Sequence, residues 1–236
     1  MKNCILITLL ALQNFTSVAQ FGNRQFGNKE DQKREEQFTY IESKFDYTYL
    51  KYIRTFQCNS KEGDDISSML RAIRIQAVPL GANCFRLKNF TRIDSTGQMT
   101  LILETYFATD IQLELNSALH ETNVMYIFSD HNFGGRIHTF KLNDSIISLP
   151  AGYYYKYYLK YGEEASLNMG GHFGSTLTIR WIENKPPLFI KVSGAGLADV
   201  YGVNQNKVIF GLTGGKLYYL TTNLGLLLAN TLQLLK

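Results

Sequence analysis

Hydrophobic residues recur along the chain with several different spacings. From Ile66 to Ala77 they fall at Ile66, Met69, Leu70, Ile73 and Ala77, spaced to share one side of a helix. Asp64-Asp65 stands where an N-cap belongs, Pro79 marks an irregular last turn, and Gly81 is a natural stop. Arg71, Arg74 and Gln76 fall on the other side and are expected to face water. Around this helix the pattern becomes extended. Thr48–Cys58, Cys84–Thr91 and Met99–Ala108 read as strands, the last two joined by the turn Asp94-Ser95-Thr96-Gly97. The order strand, helix, strand, strand predicts an α+β module over residues 38–119.

From residue 123 to 215 only strand signal remains. Val124–Phe128, Gly135–Leu142, Ile146–Leu149, Tyr153–Tyr161, Ala165–Asn168, Ser175–Ile182 and Pro187–Val192 are short apolar runs. Turn chemistry separates them, as at Asn143-Asp144, Pro150-Ala151-Gly152 and Asn184-Lys185-Pro186. Even spacing of this kind predicts an all-β, sandwich-like module. Residues 216–236 then read as a strand, Leu217–Leu220, and a terminal helix capped by Asn223 and rich in leucine. Residues 217–235 carry no charge and reach the length of a membrane span, about 20 residues. Thr221, Thr222, Asn223, Asn230 and Gln233 would be costly in lipid. The segment therefore reads as a helix packed on the sandwich, with peripheral membrane contact as the second reading.

The N-terminus has a different character. Met1-Lys2-Asn3 carries one positive charge, Cys4–Leu12 is apolar apart from Thr8, and Ser17-Val18-Ala19 presents small residues where signal peptidase cuts. Residues 1–19 read as a signal peptide, and Cys4 lies too early to carry a lipid anchor. Residues 20–37, polar and charged with the echo FGNRQ/FGNKE, read as a flexible linker.

Composition narrows the function. The net charge of +4 in 236 residues gives no footprint for nucleic acid, and 45% hydrophobic content excludes a disordered chain. Export leaves two cysteines, Cys58 and Cys84, which invite a disulfide closing a loop of about 27 residues, worth roughly 3.5 kcal/mol in the chain-entropy model. The other reading is a pair of buried thiols.

Motifs for chemistry are weak. Gly194-Ala195-Gly196-Leu197-Ala198-Asp199 mimics a dinucleotide fingerprint, but Gly202 and Asn204 break the helix it needs. Gly211–Lys216 lacks the first glycine and the final hydroxyl of a phosphate loop, so it reads as a hairpin turn. His120, His131, His138 and His172 show no metal-ligand spacing, and no metal or cofactor is expected. A hydrolase site would have to assemble His131, His138, His172 and Asp130 across sandwich loops, without any G-x-S-x-G elbow. The adjacent acids Glu163-Glu164 and Asp64-Asp65 point to opposite faces of a strand and form no acid–base couple.

The densest feature is the run from Tyr153 to Tyr161, which holds six of the chain's fifteen tyrosines. Alternation puts Tyr153, Tyr155, Tyr157, Leu159 and Tyr161 on one face, expected to be the core face. Tyr154, Lys156, Tyr158 and Lys160 fall on the other, where rings and ammonium groups form a candidate binding surface. The plain alternative is a well-paired strand whose side chains merely cover the sheet.

Two stretches carry a resemblance. The junction Pro79-Leu80-Gly81-Ala82-Asn83 resembles the helix–strand LGAN junction of small α+β domains of the bacterial envelope. Val124-Met125-Tyr126-Ile127-Phe128, Lys141-Leu142-Asn143-Asp144 and Leu149-Pro150-Ala151-Gly152-Tyr153-Tyr154 resemble segments of uncharacterised envelope β-sandwich domains. The resemblance implies fold and compartment and transfers no catalytic residue. Together these features describe a non-enzymatic binding or scaffolding protein of a Gram-negative envelope, in the periplasm or at the outer-membrane surface, with a protein partner. A glycan- or peptidoglycan-binding module using the Tyr/Lys face is the alternative, and the loop-assembled hydrolase a more distant one.

Overall fold

The computed structural model describes residues 37–61, 64–93, 97–129, 137–170, 174–193, 196–200, 209–213 and 215–235. The signal-peptide reading, the linker as far as residue 36, and Asp130, His131 and His172 lie outside these residues. In chain order the strands are β1 (Thr39–Tyr40), β2 (Lys51–Asn59), β3 (Cys84–Arg92), β4 (Met99–Phe107), β5 (Val124–Phe128), β6 (His138–Leu142), β7 (Ser145–Leu149) and β8 (Tyr153–Tyr158). They continue with β9 (Glu164–Met169), β10 (Ser175–Arg180), β11 (Leu188–Ser193), β12 (Gly196–Val200), β13 (Ile209–Thr213), β14 (Lys216–Tyr219) and β15 (Gln233–Leu234). The helices are α1 (Ile66–Ala77), α2 (Asp110–Ser117) and α3 (Thr222–Thr231).

The N-terminal region is α+β, with a four-stranded sheet ordered β1-β3-β4-β2. α1 covers one face of it, burying Ile66, Met69, Leu70, Ile73 and Ala77, the residues the spacing predicts. Asp65 caps the helix in a reciprocal box: its carboxylate accepts from the Ser68 N–H at 2.8 Å, and the Ser68 hydroxyl accepts from the Asp65 N–H at 3.0 Å. A short 3-10 turn, Val78–Leu80, ends at Gly81, whose φ of 91° needs a residue without Cβ. Arg71 and Gln76 face water, but Arg74 is buried, lining a small space with Phe38, Leu70 and Thr221. The chain before α1 and the turn before α3 wrap further round the helix than its own pattern indicates.

Two further sheets make the sandwich. One is ordered β14-β11-β5-β8-β15 and is mixed, with β11–β5 and β8–β15 parallel; the other, β10-β9-β6-β7, is antiparallel throughout. Met125, Ile127, Phe140, Leu142, Leu167 and Ile190 are among the residues that fill the space between them. All five residues of β5 are buried. Met125 and Ile127 point into the sandwich, while Val124, Tyr126 and Phe128 point the other way, onto α3. A second core thus joins Phe85, Leu101 and Leu103 of the first sheet to that outer face of β5 through the leucines of α3. β12 and β13 pair antiparallel, so a strand follows Gly194-Ala195-Gly196 where a dinucleotide site needs a helix.

Two expectations are corrected here. Cys58 and Cys84 are free thiols. Cys58 pairs in register with Leu101 of β4 and Cys84 with Tyr106, so they flank β4 from opposite sides, five residues apart along it. At strand spacings of about 4.8 Å across and about 3.3 Å along, that is roughly 19 Å, far beyond the roughly 7 Å limit for a disulfide. They also belong to different cores, Cys58 under α1 and Cys84 under α2. The second correction concerns membrane contact by residues 217–235. No helix among the described residues is long and apolar enough to cross a membrane. The segment is divided into β14, α3 and β15, and Leu224, Leu226, Leu227, Leu228 and Leu232 are spent on the core. The helix is capped by Thr221, and Asn223 lies inside its first turn.

Candidate functional site

The tyrosine-rich run forms β8, second from the edge of its sheet, paired with β5 from Val124↔Tyr158 to Phe128↔Tyr154. Alternation divides its side chains as expected near the strand's centre. Tyr153, Tyr155 and Tyr157 pack against the sandwich core. Tyr161, expected on the core face, lies past the strand end in a turn and is 88% exposed, its ring 4.6 Å from that of Trp181.

The opposite face is more occupied than a free binding surface. Tyr154 packs on the second core, with its ring centroid 5.7 Å from that of Phe128. Lys156 points at Glu121, with Nζ–O separations of 2.9 Å and 2.6 Å to the two carboxylate oxygens. Glu121 also accepts from the Tyr126 hydroxyl at 2.7 Å, and the Tyr158 hydroxyl lies at 3.4 Å. The ammonium stands 5.2 Å from the Tyr126 ring centre and 4.9 Å from that of Tyr158. Burial pushes the Glu121 carboxyl up, but the hydrogen bonds from Lys156 and Tyr126 and the Lys156 charge outweigh it and hold the group below its ordinary range. Burial alone would lower Lys156; its bonds to Glu121 and Tyr158 win and raise it. Tyr126 is raised by burial and by its bond to Glu121. This knot keeps Lys156 charged and paired with Glu121. Of the four residues marked by the sequence, Tyr158 and Lys160 are the exposed ones.

Beside the knot opens a cleft of about 670 Å³, lined by Thr39, Ser117, Ala118, His120, Glu121, Thr122, Asn184, Pro186, Pro187, Thr222 and Asn223. It lies where four parts of the fold meet: β1, the segment after α2, the sandwich loop before β11, and the first turn of α3. Asn123, at a positive φ of 54°, holds that corner together. Its N–H donates to the Lys185 carbonyl at 2.8 Å, its carbonyl accepts from the Leu159 N–H at 2.9 Å, and its Oδ1 accepts from the Ile182 N–H at 3.2 Å. In the cleft wall, the buried Nε2 of His120 lies 3.9 Å from Glu42 Oε1 and has no hydrogen-bond partner. Burial lowers the His120 imidazole, and burial followed by the Glu121 charge raises the Glu42 carboxyl.

Sequence reasoning singled out neither Glu121 nor Glu42. The signal that pointed near them was the Lys156 parity, since an ammonium on a half-buried strand face calls for a carboxylate. Among the hydrolase candidates, His138 is buried in β6. No group of three or more potential metal ligands occurs among the described residues. The arrangement at the cleft can hold a ligand by hydroxyls, amides, a carboxylate and proline surface. Glu121 has both oxygens engaged and is poorly placed to take a proton. No family profile, no curated protein and no solved structure matches the chain.

Proposed function

We propose that this chain is an exported, non-enzymatic binding or scaffolding protein of a Gram-negative cell envelope, and that its partner is a protein seated at the cleft. The observation that carries the reading is the cleft itself, a concave site at the meeting point of the first sheet and the sandwich, rimmed by the Glu121–Lys156 knot. Tyr158 projects from that knot, 55% exposed, and Lys160 follows it. A rigid tyrosine of this kind is a low-entropy anchor for a partner surface. Export and the periplasmic or outer-membrane location rest on the sequence of Met1–Ala19.

The test is affinity capture from detergent-solubilised envelopes followed by mass spectrometry. A protein recovered by the wild-type chain and lost with a Thr122→Trp/Tyr158→Ala variant of unchanged melting temperature supports the reading. Retention on insoluble peptidoglycan that the same variant loses, with no protein partner recovered, would transfer the cleft to a glycan. Turnover of an ester or glycoside substrate by the purified chain would overturn the non-enzymatic reading.

A further inference from the structure

A second surface lies on the face of the first sheet away from α1. β3 and β4 pair Arg86 with Glu104 there, and β2 and β4 pair Tyr52 with Tyr106. Tyr47 arrives from the short 3-10 turn Tyr47–Tyr49 that precedes β2. The Arg86 guanidinium sits over the Tyr47 ring, its central carbon 3.8 Å from the ring centre. The rings of Tyr47 and Tyr52 lie 6.2 Å and 5.6 Å from that of Tyr106, so three tyrosines line this part of the face.

Arg86 stands opposite Glu104 and its charge helps hold that carboxyl down, but no hydrogen bond joins the two. Glu104 Oε2 accepts from the Tyr106 hydroxyl at 2.9 Å, and Lys88 Nζ is 3.0 Å from Oε1. Burial pushes Glu104 up, but those two hydrogen bonds and the charges of Lys88 and Arg86 bring it below its ordinary range. The arginine is left half-buried, stacked on a ring, with Nη1 closed off from solvent and without an acceptor. A guanidinium brings five donors in a rigid fork, and in structures such forks are normally met by carboxylate, phosphate or carbonyl oxygens. Arg86 and Lys88 against Glu104 leave a net positive charge on this face. Stacking fixes the fork in advance, so little side-chain freedom is lost when an acceptor arrives.

We propose that Arg86, held on Tyr47, is a carboxylate-binding site for an acidic segment of a polypeptide partner, with Lys88 and the exposed Tyr52 as its flanks. Nη1 is sealed, so the edge offered to a ligand is Nε–Nη2, and a planar carboxylate matches it in two parallel hydrogen bonds. The tyrosine surround supplies ring surface for the peptide on either side. The proposal rests on the binding-protein reading but uses a different face from the cleft.

The probe is an N-acetylated tetra-aspartate peptide, with the tetra-asparagine peptide and free glucuronate as controls, followed through the Nε–Hε NMR resonance of Arg86 in the wild type and through the backbone amide resonances of β3 in every variant. A saturable shift with tetra-aspartate and none with tetra-asparagine is expected. Arg86→Lys keeps the charge but loses the fork, and should weaken binding by about tenfold or more. Tyr47→Ala should weaken it in the same direction, and both variants must retain the wild-type melting curve. Tyr47→Leu, which fills the space without a ring, serves if the alanine variant unfolds. Equal binding by Arg86→Lys, an equal shift with tetra-asparagine, or tighter binding of glucuronate than of peptide would overturn the proposal. An envelope partner whose capture survives Arg86→Lys but not the cleft variant would overturn this site while leaving the cleft reading intact.

Discussion

Asn223, in the first turn of the C-terminal helix, accepts the backbone N–H of Tyr40 on its side-chain Oδ1 at 2.9 Å, across 183 residues of chain. Asn116 completes the arrangement from α2: its Nδ2 donates to the Tyr40 carbonyl at 2.9 Å, and its Oδ1 accepts from the Glu42 N–H at 2.8 Å. β1 is a two-residue edge strand; Thr39 within it and Ile41 just after it donate to the Asn83 and Phe85 carbonyls at 3.0 Å and 2.7 Å. The groups of Tyr40 point the opposite way, where a further strand would be. Two asparagine amides stand in for that strand. Asn223→Ala therefore leaves a buried N–H without its acceptor, at a cost of about 1–3 kcal/mol, and Asn116→Ala removes partners from both Tyr40 and Glu42. Urea denaturation of the two variants checks this; unchanged midpoints would show that β1 is held by packing alone.

Gly225 marks the closest approach of α3 to the sandwich. A Cβ built there would lie 2.2 Å from Cγ of Phe189 and 2.7 Å from its Cβ. These are the root atoms of a buried ring on β11, so no flexible end can move aside. Gly225→Ala gains up to about 1 kcal/mol of helix propensity, but overpacking typically costs about 1–3 kcal/mol, and more at so short a distance. The expected result is a lower melting temperature, partly restored by Phe189→Leu in the same chain. A stabilised Gly225→Ala would mean that α3 is free to lift from the sheet.

The sequence patterns that proved legible were those in which a single element supplies its own evidence. The spacing of Ile66, Met69, Leu70 and Ile73 locates α1, and alternation in Tyr153–Tyr158 divides the faces of β8. What escaped depends on partners far along the chain. α2 turns Ile111 and Leu115 outward and sends Leu113 alone onto the core, so its sequence shows no apolar stripe. β1 is too short for any periodicity. Asn223 reads as a cap because asparagine is common there, and its actual use becomes visible only when Tyr40 is brought alongside. In the same way, the tyrosine strand identified a surface, but nothing local to Lys156 indicates that Glu121 would claim it.

The knot at Glu121 should behave as a coupled unit. Lys156→Met removes one charge and leaves the Glu121 carboxylate with the Tyr126 hydroxyl as its closest donor. Glu121→Gln removes the carboxylate that fixes Lys156. The side chains are 19% and 39% exposed, so solvent screens much of the attraction. A coupling energy of about 0.5–1 kcal/mol is expected from the double-mutant cycle, shrinking in high salt. Full additivity of the two single variants would show that the tyrosines alone hold this face.

Cys58 and Cys84 should differ in reactivity rather than pair. Burial pushes the Cys84 thiol up to about 12, while Cys58, also raised by burial, is only partly covered. Native alkylation at pH 8 should label Cys58 well before Cys84, and denatured, unreduced protein should yield both as free thiols. A melting temperature that falls on adding reductant would contradict the separation of the two strands.

His120 gives the fold a specific acid sensitivity. Burial lowers its imidazole pKa in the folded chain below the ordinary value of about 6.5, while the unfolded chain keeps that ordinary value. As pH falls through about 6.5 the unfolded state takes up a proton that the folded state declines, so stability drops until the folded pKa is passed. The slope cannot exceed about 1.4 kcal/mol per pH unit for one proton. Glu42, 3.9 Å away, works in the opposite sense at lower pH: burial raises its carboxyl, so the folded state binds that proton first and the decline is offset near the ordinary carboxylate range of about 4–5. Stability measured by urea titration should therefore fall between pH 7 and 5; below pH 5 the lowered Glu104 and Glu121 carboxyls take it down further, with Glu42 opposing them. His120→Gln should remove the fall above pH 5 and leave the Glu42 contribution in place. A wild-type profile already flat between pH 7 and 5 would show that the imidazole reaches solvent through the cleft.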